Sequence, residues 1–550
     1  MKNISYKISA LTLVLFLSGF MQSDSDIYFQ MSKGIDIFGR VYKEVALNYV
    51  DEVKPESFML EGIKGMLKTL DPYTVYIDEK HQKDIELITK GKYGGIGATV
   101  GMYNNSITIV DLIEGYSAQR QGIRIGDIIL KVDSTEITKE NYNNLGDFLK
   151  KEPGTEISVI IKRDGVSEDI LFNLVSEEIE IKNLTYSGFV PENSNNVYLK
   201  LSGFSRSAGN EIRKVIQELR VIKDINSIVL DLRGNPGGLL DAAIDVSEKF
   251  LKKDDLVVSI IGRAEGKVQS YKAKEEPIAK DIKLAILVDN GSASASEIVA
   301  GALQDHDRGV VLGARSFGKG LVQTVIPLSY NTSLKMTTAR YYTPSGRCIQ
   351  KIDYSKKEKD LFEKTSGEDS LRFFTDNKRE VFASGGILPD SIITNSSESH
   401  FVRALLAKGM FFRFATVYFN TNSTEKINGE RDEELFKNFL KHIKEQKFEY
   451  KSKSERLFVD LEENFEKDGY NHGLLDELAK LKNKFTDVKN QELVKYKKDI
   501  IAEIKKELAA RTDGRKGRIV ESLRHDDQFS TAIEILNDDE SYGKLLRQPN

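Results

Sequence analysis

The sequence predicts a multidomain protein: an α/β core with a mixed sheet, a small all-β module before it, and helical N- and C-terminal regions. Three observations carry this. Apolar residues recur at spacings of three and four through residues 25–90 and again beyond 400. From Gly94 the period changes to two, with turn residues between the runs. Between 177 and 400, short apolar runs typical of buried strands alternate with amphipathic helices.

Taken in order, Lys2 and Lys7 precede the apolar stretch ISALTLVLFLSGFMQ, and the next charge is Asp24. A basic start followed by a short apolar stretch reads as an export signal. It falls short of the roughly 20 residues of a spanning helix. Residues 1–23 are therefore expected to be a signal peptide or a membrane anchor, with a buried helix as the bland alternative. The expected location follows: exported, either periplasmic or anchored to the inner membrane facing the periplasm. Residues 24–90 are expected to form a helical region whose pattern is broken at Asp71-Pro72, because proline disfavours helix at the residue before it.

Residues 91–176 contain the alternating GATVGMYNNSITIVDL, the helical KENYNNLGDFLKK and the strands TEISVIIKR and SEDILFNLV. Residues 177–400 supply strands at NNVYLKL, INSIVLDL, KLAILVD and GVVLGA. Helices fall between them at AGNEIRKVIQELR, GLLDAAIDVSEKFLK and ASEIVAGALQDH. Glycines punctuate the strand ends, where sites sit in such folds. Residues 401–550 are helical, rich in Lys and Glu, and carry no chemical motif; they read as an accessory domain with solvated faces.

Composition narrows the function. The net charge of -4 gives no global basic field for nucleic acid. The single cysteine, Cys348, excludes an intrachain disulfide and a multi-cysteine metal site. No metal and no cofactor is expected.

The stretch DNGSASASEI (289–298) carries the first chemical signal. It follows a buried strand and opens a helix, so a serine there can be presented on a turn beside free helix-start N–H groups. A serine nucleophile needs a general base within reach. His306 lies 12 residues along the same helix from Ser294, about 18 Å at 1.5 Å per residue, which is too far. Lysine is the other candidate, provided burial lowers its pKa. Lys319 lies among Phe317, Gly318, Gly320 and Leu321. Read as a strand, this stretch puts Gln323 on the same face, four residues on, where it can orient Lys319 without adding charge. A surface lysine in a glycine turn is the plain alternative. GARSFGKG (313–320) also resembles a nucleotide-binding P-loop, but Gly320 stands where that loop needs Ser or Thr, and an alternating run follows it.

The small β module resembles a PDZ domain, through Gly94-Gly95-Ile96-Gly97 as carboxylate-binding loop and Gly122 to Asp127 as its GI..GD turn; Ser117 and Gln121 depart from the usual Pro and Ala. Such domains bind C-terminal peptides by strand addition. DLRGNPGG (231–238), GSASASEIVAGALQD (291–305), SFGKGLVQT (316–324), YYTPSGRCIQ (341–350) and GGILPD (385–390) together resemble the carboxyl-terminal processing, or tail-specific, serine proteases. The resemblance spans roughly residues 35–400 and includes LDPYT at 70–74.

It implies a Ser–Lys dyad of Ser294 and Lys319 with Gln323, and an oxyanion hole from the Ala295 N–H and the glycine pair, Gly238 with Gly237 beside it. It also implies substrate proteins bound through their C-terminal tails, with the PDZ-like module recruiting or gating. A non-catalytic peptide-binding scaffold on the same fold is the alternative. Membrane association through the N-terminus and homo-oligomers are left open.

Overall fold

The computed structural model describes residues 22–82, 91–103, 105–263, 268–354, 371–383, 385–393, 399–422, 431–468 and 491–547, with a few more between 427 and 485. Most of the expected signal or anchor, residues 1–21, lies outside the described residues. No helix among those described is long and apolar enough to cross a membrane. The chain divides into two compact units: residues up to 82 with 323–337, and residues 83–322 with 338–550.

The first unit holds α1 (Gln22–Asn48), α2 (Pro55–Leu67) and β1 (Val75–Ile77). β1 pairs antiparallel with the 333–335 segment, Val75 opposite Lys335. Between α2 and β1, the Asp71 carboxylate accepts the N–H groups of Tyr73 and Thr74. An aspartate before a proline therefore makes the turn that ends the helical region.

The second unit begins with the small β module. Its elements are β2 (Lys92–Gly95), β3 (Ala98–Tyr103), β4 (Ser106–Leu112), α3 (Ser117–Arg120), β5 (Ile128–Val132), β6 (Thr135–Glu136), α4 (Leu145–Leu149), β7 (Glu156–Lys162), β8 (Ile170–Val175) and β9 (Glu177–Glu180). The order β3-β4-β5-β7-β8 leaves β3 at one edge. The strict alternation of EISVIIK buries Ile157, Val159 and Ile161 in one core.

The α/β core follows: β10 (Leu184–Phe189), β11 (Asn196–Leu201), α5 (Ala208–Ile222), β12 (Ser227–Asp231), α6 (Leu240–Glu248), β13 (Leu256–Gly262), β14 (Val268–Lys272), β15 (Lys283–Val288), α7 (Ala295–Asp305), β16 (Val310–Gly313), β17 (Leu321–Pro327), β18 (Ser333–Tyr342), β19 (Arg372–Phe374), β20 (Glu380–Phe382) and β21 (Ser391–Ile392), the 323–337 portions of β17 and β18 being counted with the first unit. The main sheet runs β10-β11-β12-β15-β16-β21. It is parallel except for the β10–β11 pair, so the fold is a mixed α/β core.

The C-terminal helices are α8 (His400–Ala407), α9 (Met410–Thr421), α10 (Asp432–Glu445), α11 (Lys453–Lys467), α12 (Lys497–Thr512), α13 (Gly514–Leu523), α14 (Asp527–Asn537) and α15 (Asp539–Leu545). Helices α8 to α10 and α12 share an apolar core of their own. Helices α9 and α13 also grip the β module: on α9, Thr416 fills the space beside Gly126 and Phe412 stacks on Tyr103 at 4.8 Å, and on α13 Arg515 pairs with Asp111 at 3.2 Å.

Both faces of the main sheet are covered. Along β12, Ile228 and Leu230 point toward α5, α6 and α7, while Val229 points the other way. On that second face Leu523, Phe529, Ala532 and Leu536 from α13 and α14 close over Val229, Ala285 and Leu287. Each large side chain so buried is worth about 1.5–3 kcal/mol. The continuous apolar strands of the core thus need the end of the chain as their second cover.

Candidate active site

The three serines near the start of α7 have different surroundings. Ser292 Oγ donates to the Leu232 carbonyl and Ser296 Oγ to the Asn235 carbonyl, each at 2.9 Å, and both residues are fully buried. Ser294 is half-buried and caps the helix with φ +55° and ψ −111°. A non-glycine residue held there costs about 1–3 kcal/mol and needs surroundings that over-determine it.

Those surroundings are two side chains. Glu297, one turn into α7, is fully buried, and its Oε2 accepts the N–H groups of Ser294 (2.8 Å) and Lys319 (2.9 Å). Its Oε1 accepts Ser316 Oγ (2.6 Å) and the Gly318 N–H (2.7 Å). Burial pushes the Glu297 carboxyl above its ordinary range, against the pull of these four donors. The Tyr341 hydroxyl lies 3.2 Å from the Ser294 carbonyl and 2.5 Å from that of Lys319, with its ring buried. Sequence reasoning named neither residue. The signal was present for Glu297, since Ser294-x-x-Glu297 is a capping-box pattern.

Lys319 corrects one expectation. It stands in the loop before β17 and not on a strand, so strand periodicity does not put Gln323 on its face. The cause is local. Gly318 has φ +89°, and a Cβ at Gly320 would lie 2.8 Å from the Gln350 backbone nitrogen. The Gly320 N–H is instead given to Gln350 Oε1 at 2.7 Å, and the Lys351 N–H to the Gly318 carbonyl at 3.0 Å. Lys319 is half-buried, and Gln323, on β17, donates its amide to Thr337 Oγ1 at 3.4 Å. A strand follows Gly320 where a P-loop would open a helix, which removes the nucleotide-loop reading.

The glycine loop between β12 and α6 lies against Ser294. A Cβ at Gly237 would meet the Ala293 oxygen at 2.7 Å and the Ala295 nitrogen at 2.9 Å, and φ there is +98°. The Gly237 N–H is already donated to Asn235 Oδ1 at 2.9 Å. Gly237 therefore serves as a point of close approach rather than as an oxyanion donor. Gly238 bridges to Phe204, and Ala295 is the first residue of α7, where backbone N–H groups have no intrahelical partner.

The loop is anchored by fully buried Asn235, whose amide donates to the Leu201 carbonyl while its own carbonyl accepts the Ala293 N–H. At its entrance Asp231 pairs with Arg233 and Lys200. Burial alone would raise the Asp231 carboxyl, but Arg233 and Lys200 outweigh it and bring it to about 2.

In the β module, Gly94 and Gly95 lie on β2, opposite Glu178 and Glu177 of β9. Ile96 enters the module core, and Gly97, at φ +79°, would clash with Tyr116 if it carried a Cβ. The edge strand β3 follows directly. Among the described residues no cluster of His, Cys, Asp or Glu could hold a metal ion.

Core and module each match a known family. Residues 195–356 match Peptidase family S41 and residues 94–174 match the PDZ domain. Residues 19–81 match the activating protease CtpB N-terminal domain, and residues 401–536 the probable PDZ-protease C-terminal helical domain. A carboxy-terminal-processing protease of Bartonella bacilliformis is 37% identical over 387 residues, covering 68% of this chain and 87% of that protein. The carboxy-terminal processing protease CtpB of Bacillus subtilis is 31% identical over 331 residues, covering 60% of this chain and 68% of that one. Among solved structures, the photosystem II D1 C-terminal processing protease is similar at 25% identity and a TM-score of 0.36, covering 64% of this chain and 85% of that one. The chain belongs to peptidase family S41, among its carboxy-terminal-processing proteases, and carries a PDZ domain.

Proposed function

We propose that the protein is a serine endopeptidase with a Ser–Lys dyad, acting near the C-termini of substrate proteins. Neutral Lys319 takes the Ser294 proton as Oγ attacks the carbonyl carbon. The Ala295 and Gly238 N–H groups hold the oxyanion. Lys319 returns the proton to the leaving amine, and a water deprotonated by Lys319 then hydrolyses the acyl-enzyme. Gln323 is included as the residue that orients Lys319, on the family resemblance alone. The PDZ residues Gly94 to Gly97, followed by the edge strand β3, are the proposed site for the substrate's terminal carboxylate. An exported setting, with the enzyme periplasmic or anchored, fits the N-terminal sequence.

The observation that supports this most is the contrast among the serines. Ser292 and Ser296 are buried and bonded to loop carbonyls, while Ser294 is held half-buried in a rare backbone conformation beside the glycine loop. The test is cleavage of a peptide with an apolar C-terminal tail. Ser294→Ala should abolish it with folding intact. Normal cleavage by that variant would refute the assignment.

A further inference from the structure

Arg233 is gripped from two directions. Its Nε and Nη2 donate to Asp231, at the end of β12, the Nη2 bond being 2.7 Å. Its other face is turned to the end of the chain, nearly 300 residues away. Nη1 donates to Asp526 Oδ1 at 3.0 Å and to Gln528 Oε1 at 2.9 Å, and Nη2 pairs with Asp526 Oδ2 at 2.7 Å. Both acceptors are themselves fixed. Asp526 caps α14 by accepting the Phe529 N–H, and the Gln528 amide donates to the Ile393 carbonyl at 2.8 Å.

The cluster is electrically closed. Asp231 and Asp526 carry two negative charges, and Arg233 and Lys200 two positive ones. The Lys200 ammonium also donates to the Arg233 carbonyl at 2.7 Å, so the backbone of Arg233 is held along with its side chain. The next residues are Gly234 to Gly238, the loop against Ser294.

Packing does not require these polar contacts. Leu523, Phe529, Ala532 and Leu536 already bind the C-terminal helices to the sheet. A buried ion pair in place of apolar contact is often neutral or costly for stability, and its best-attested use is to fix one arrangement among several. The arrangement at stake here is that of the loop that follows Arg233.

We propose that Asp526 and Gln528, at the end of the chain, are positioning residues for peptide hydrolysis: they lock Arg233, and through it hold the Gly234–Gly238 loop where the Gly238 N–H meets the oxyanion. This rests on the oxyanion role given to that loop above. The C-terminal helical region is thereby part of the machinery that shapes the catalytic centre.

The test uses the full-length chain. Asp526→Asn keeps the helix cap, since Asn caps as well as Asp, and Gln528→Leu keeps the volume. Three readouts are compared: kcat and KM on a tail peptide, the rate at which a fluorophosphonate labels Ser294, and the melting temperature. As Ser294 Oγ attacks phosphorus and fluoride leaves, negative charge builds on the phosphoryl oxygen, so the labelling rate reports on the hole without peptide binding.

The double variant is expected to lose about tenfold or more in kcat, less than the full loss of an oxyanion donor. KM should hold, labelling should slow in parallel, and Asp526→Glu should retain more activity than Asp526→Asn. Unchanged kcat per labelled site, or a loss that follows melting temperature alone, would overturn the inference. If the double variant melts early, Gln528→Leu alone carries the same comparison, because it keeps both the cap and the ion pair. Wild-type cleavage and labelling at Ser294 are the reference. Their absence would indict the catalytic reading itself, whereas their presence with an unaffected variant indicts only the role of Asp526 and Gln528.

Discussion

Ser294 and Lys319, 25 residues apart in sequence, give their backbone N–H groups to the same oxygen of Glu297, at 2.8 and 2.9 Å. Their carbonyls lie within reach of the same hydroxyl, that of Tyr341. Two buried side chains thus tie the proposed nucleophile and base to each other through the backbone. Each side chain can be removed to test what the tie does.

Removing Glu297 should be severe. Glu297→Ala leaves buried donors without an acceptor, each costing about 1–3 kcal/mol. We expect a marked fall in melting temperature and peptide cleavage below about one per cent of wild type, since misplacing a catalytic group costs about 100-fold. Thermal melts and initial rates check this, and near-normal turnover would show that the dyad is held by other means.

Tyr341→Phe is the milder cut. The buried ring stays and only the hydroxyl is lost, at a cost near 1 kcal/mol for one hydrogen bond. The fold should persist with kcat down about tenfold, the rate equivalent of 1.4 kcal/mol. Steady-state kinetics at equal folded fraction decide the matter. A change confined to KM would move Tyr341 from the dyad to substrate binding.

Gly237→Ala tests close approach. The added methyl would press on the Ala293 carbonyl and the Ala295 N–H, at a φ of +98°. Strain of about 1–3 kcal/mol should appear as lost stability, with activity falling further because Ala295 is displaced. Unaltered activity together with unaltered stability would contradict the position given to this loop.

His306 predicts how stability depends on pH. Its Nδ1 faces Asp376 Oδ2 and its Nε2 faces the Leu256 carbonyl, each at 2.8 Å. Burial pulls the imidazolium down, but these partners outweigh it and the folded pKa is raised above 6.5. The stabilisation is therefore complete below pH 6.5 and is lost as pH rises through the folded pKa. His306→Gln should lower the denaturation midpoint more at pH 6 than at pH 9. An equal loss at both pH values would exclude a protonated His306.

The fold class was legible because period and punctuation agree from strand to strand: IVL (228–230) and LAILV (284–288) are apolar throughout, and glycines follow their ends. Strand patterning after Gly320, extended back through the glycines, places Lys319 on a strand. Gly318 and Gly320 break the strand through a positive φ and a close approach to Gln350. The partners of the C-terminal helices were not legible. Amphipathic spacing shows that α14 has a buried face, but not that this face lies on β12 and β15, or that the cap Asp526 meets Arg233. Glu297 was visible as a capping residue. Its bonds to Ser316, Gly318 and Lys319 depend on a loop some 20 residues away, and only the folded chain brings that loop to it.

The most direct test of the dyad is covalent labelling of the intact protein with a fluorophosphonate, with the modified residue located by mass spectrometry. The account predicts a single adduct on Ser294, absent in Ser294→Ala and strongly reduced in Lys319→Arg, whose guanidinium does not give up its proton. Labelling at Ser292 or Ser296, or full labelling of Ser294 in Lys319→Arg, would contradict it.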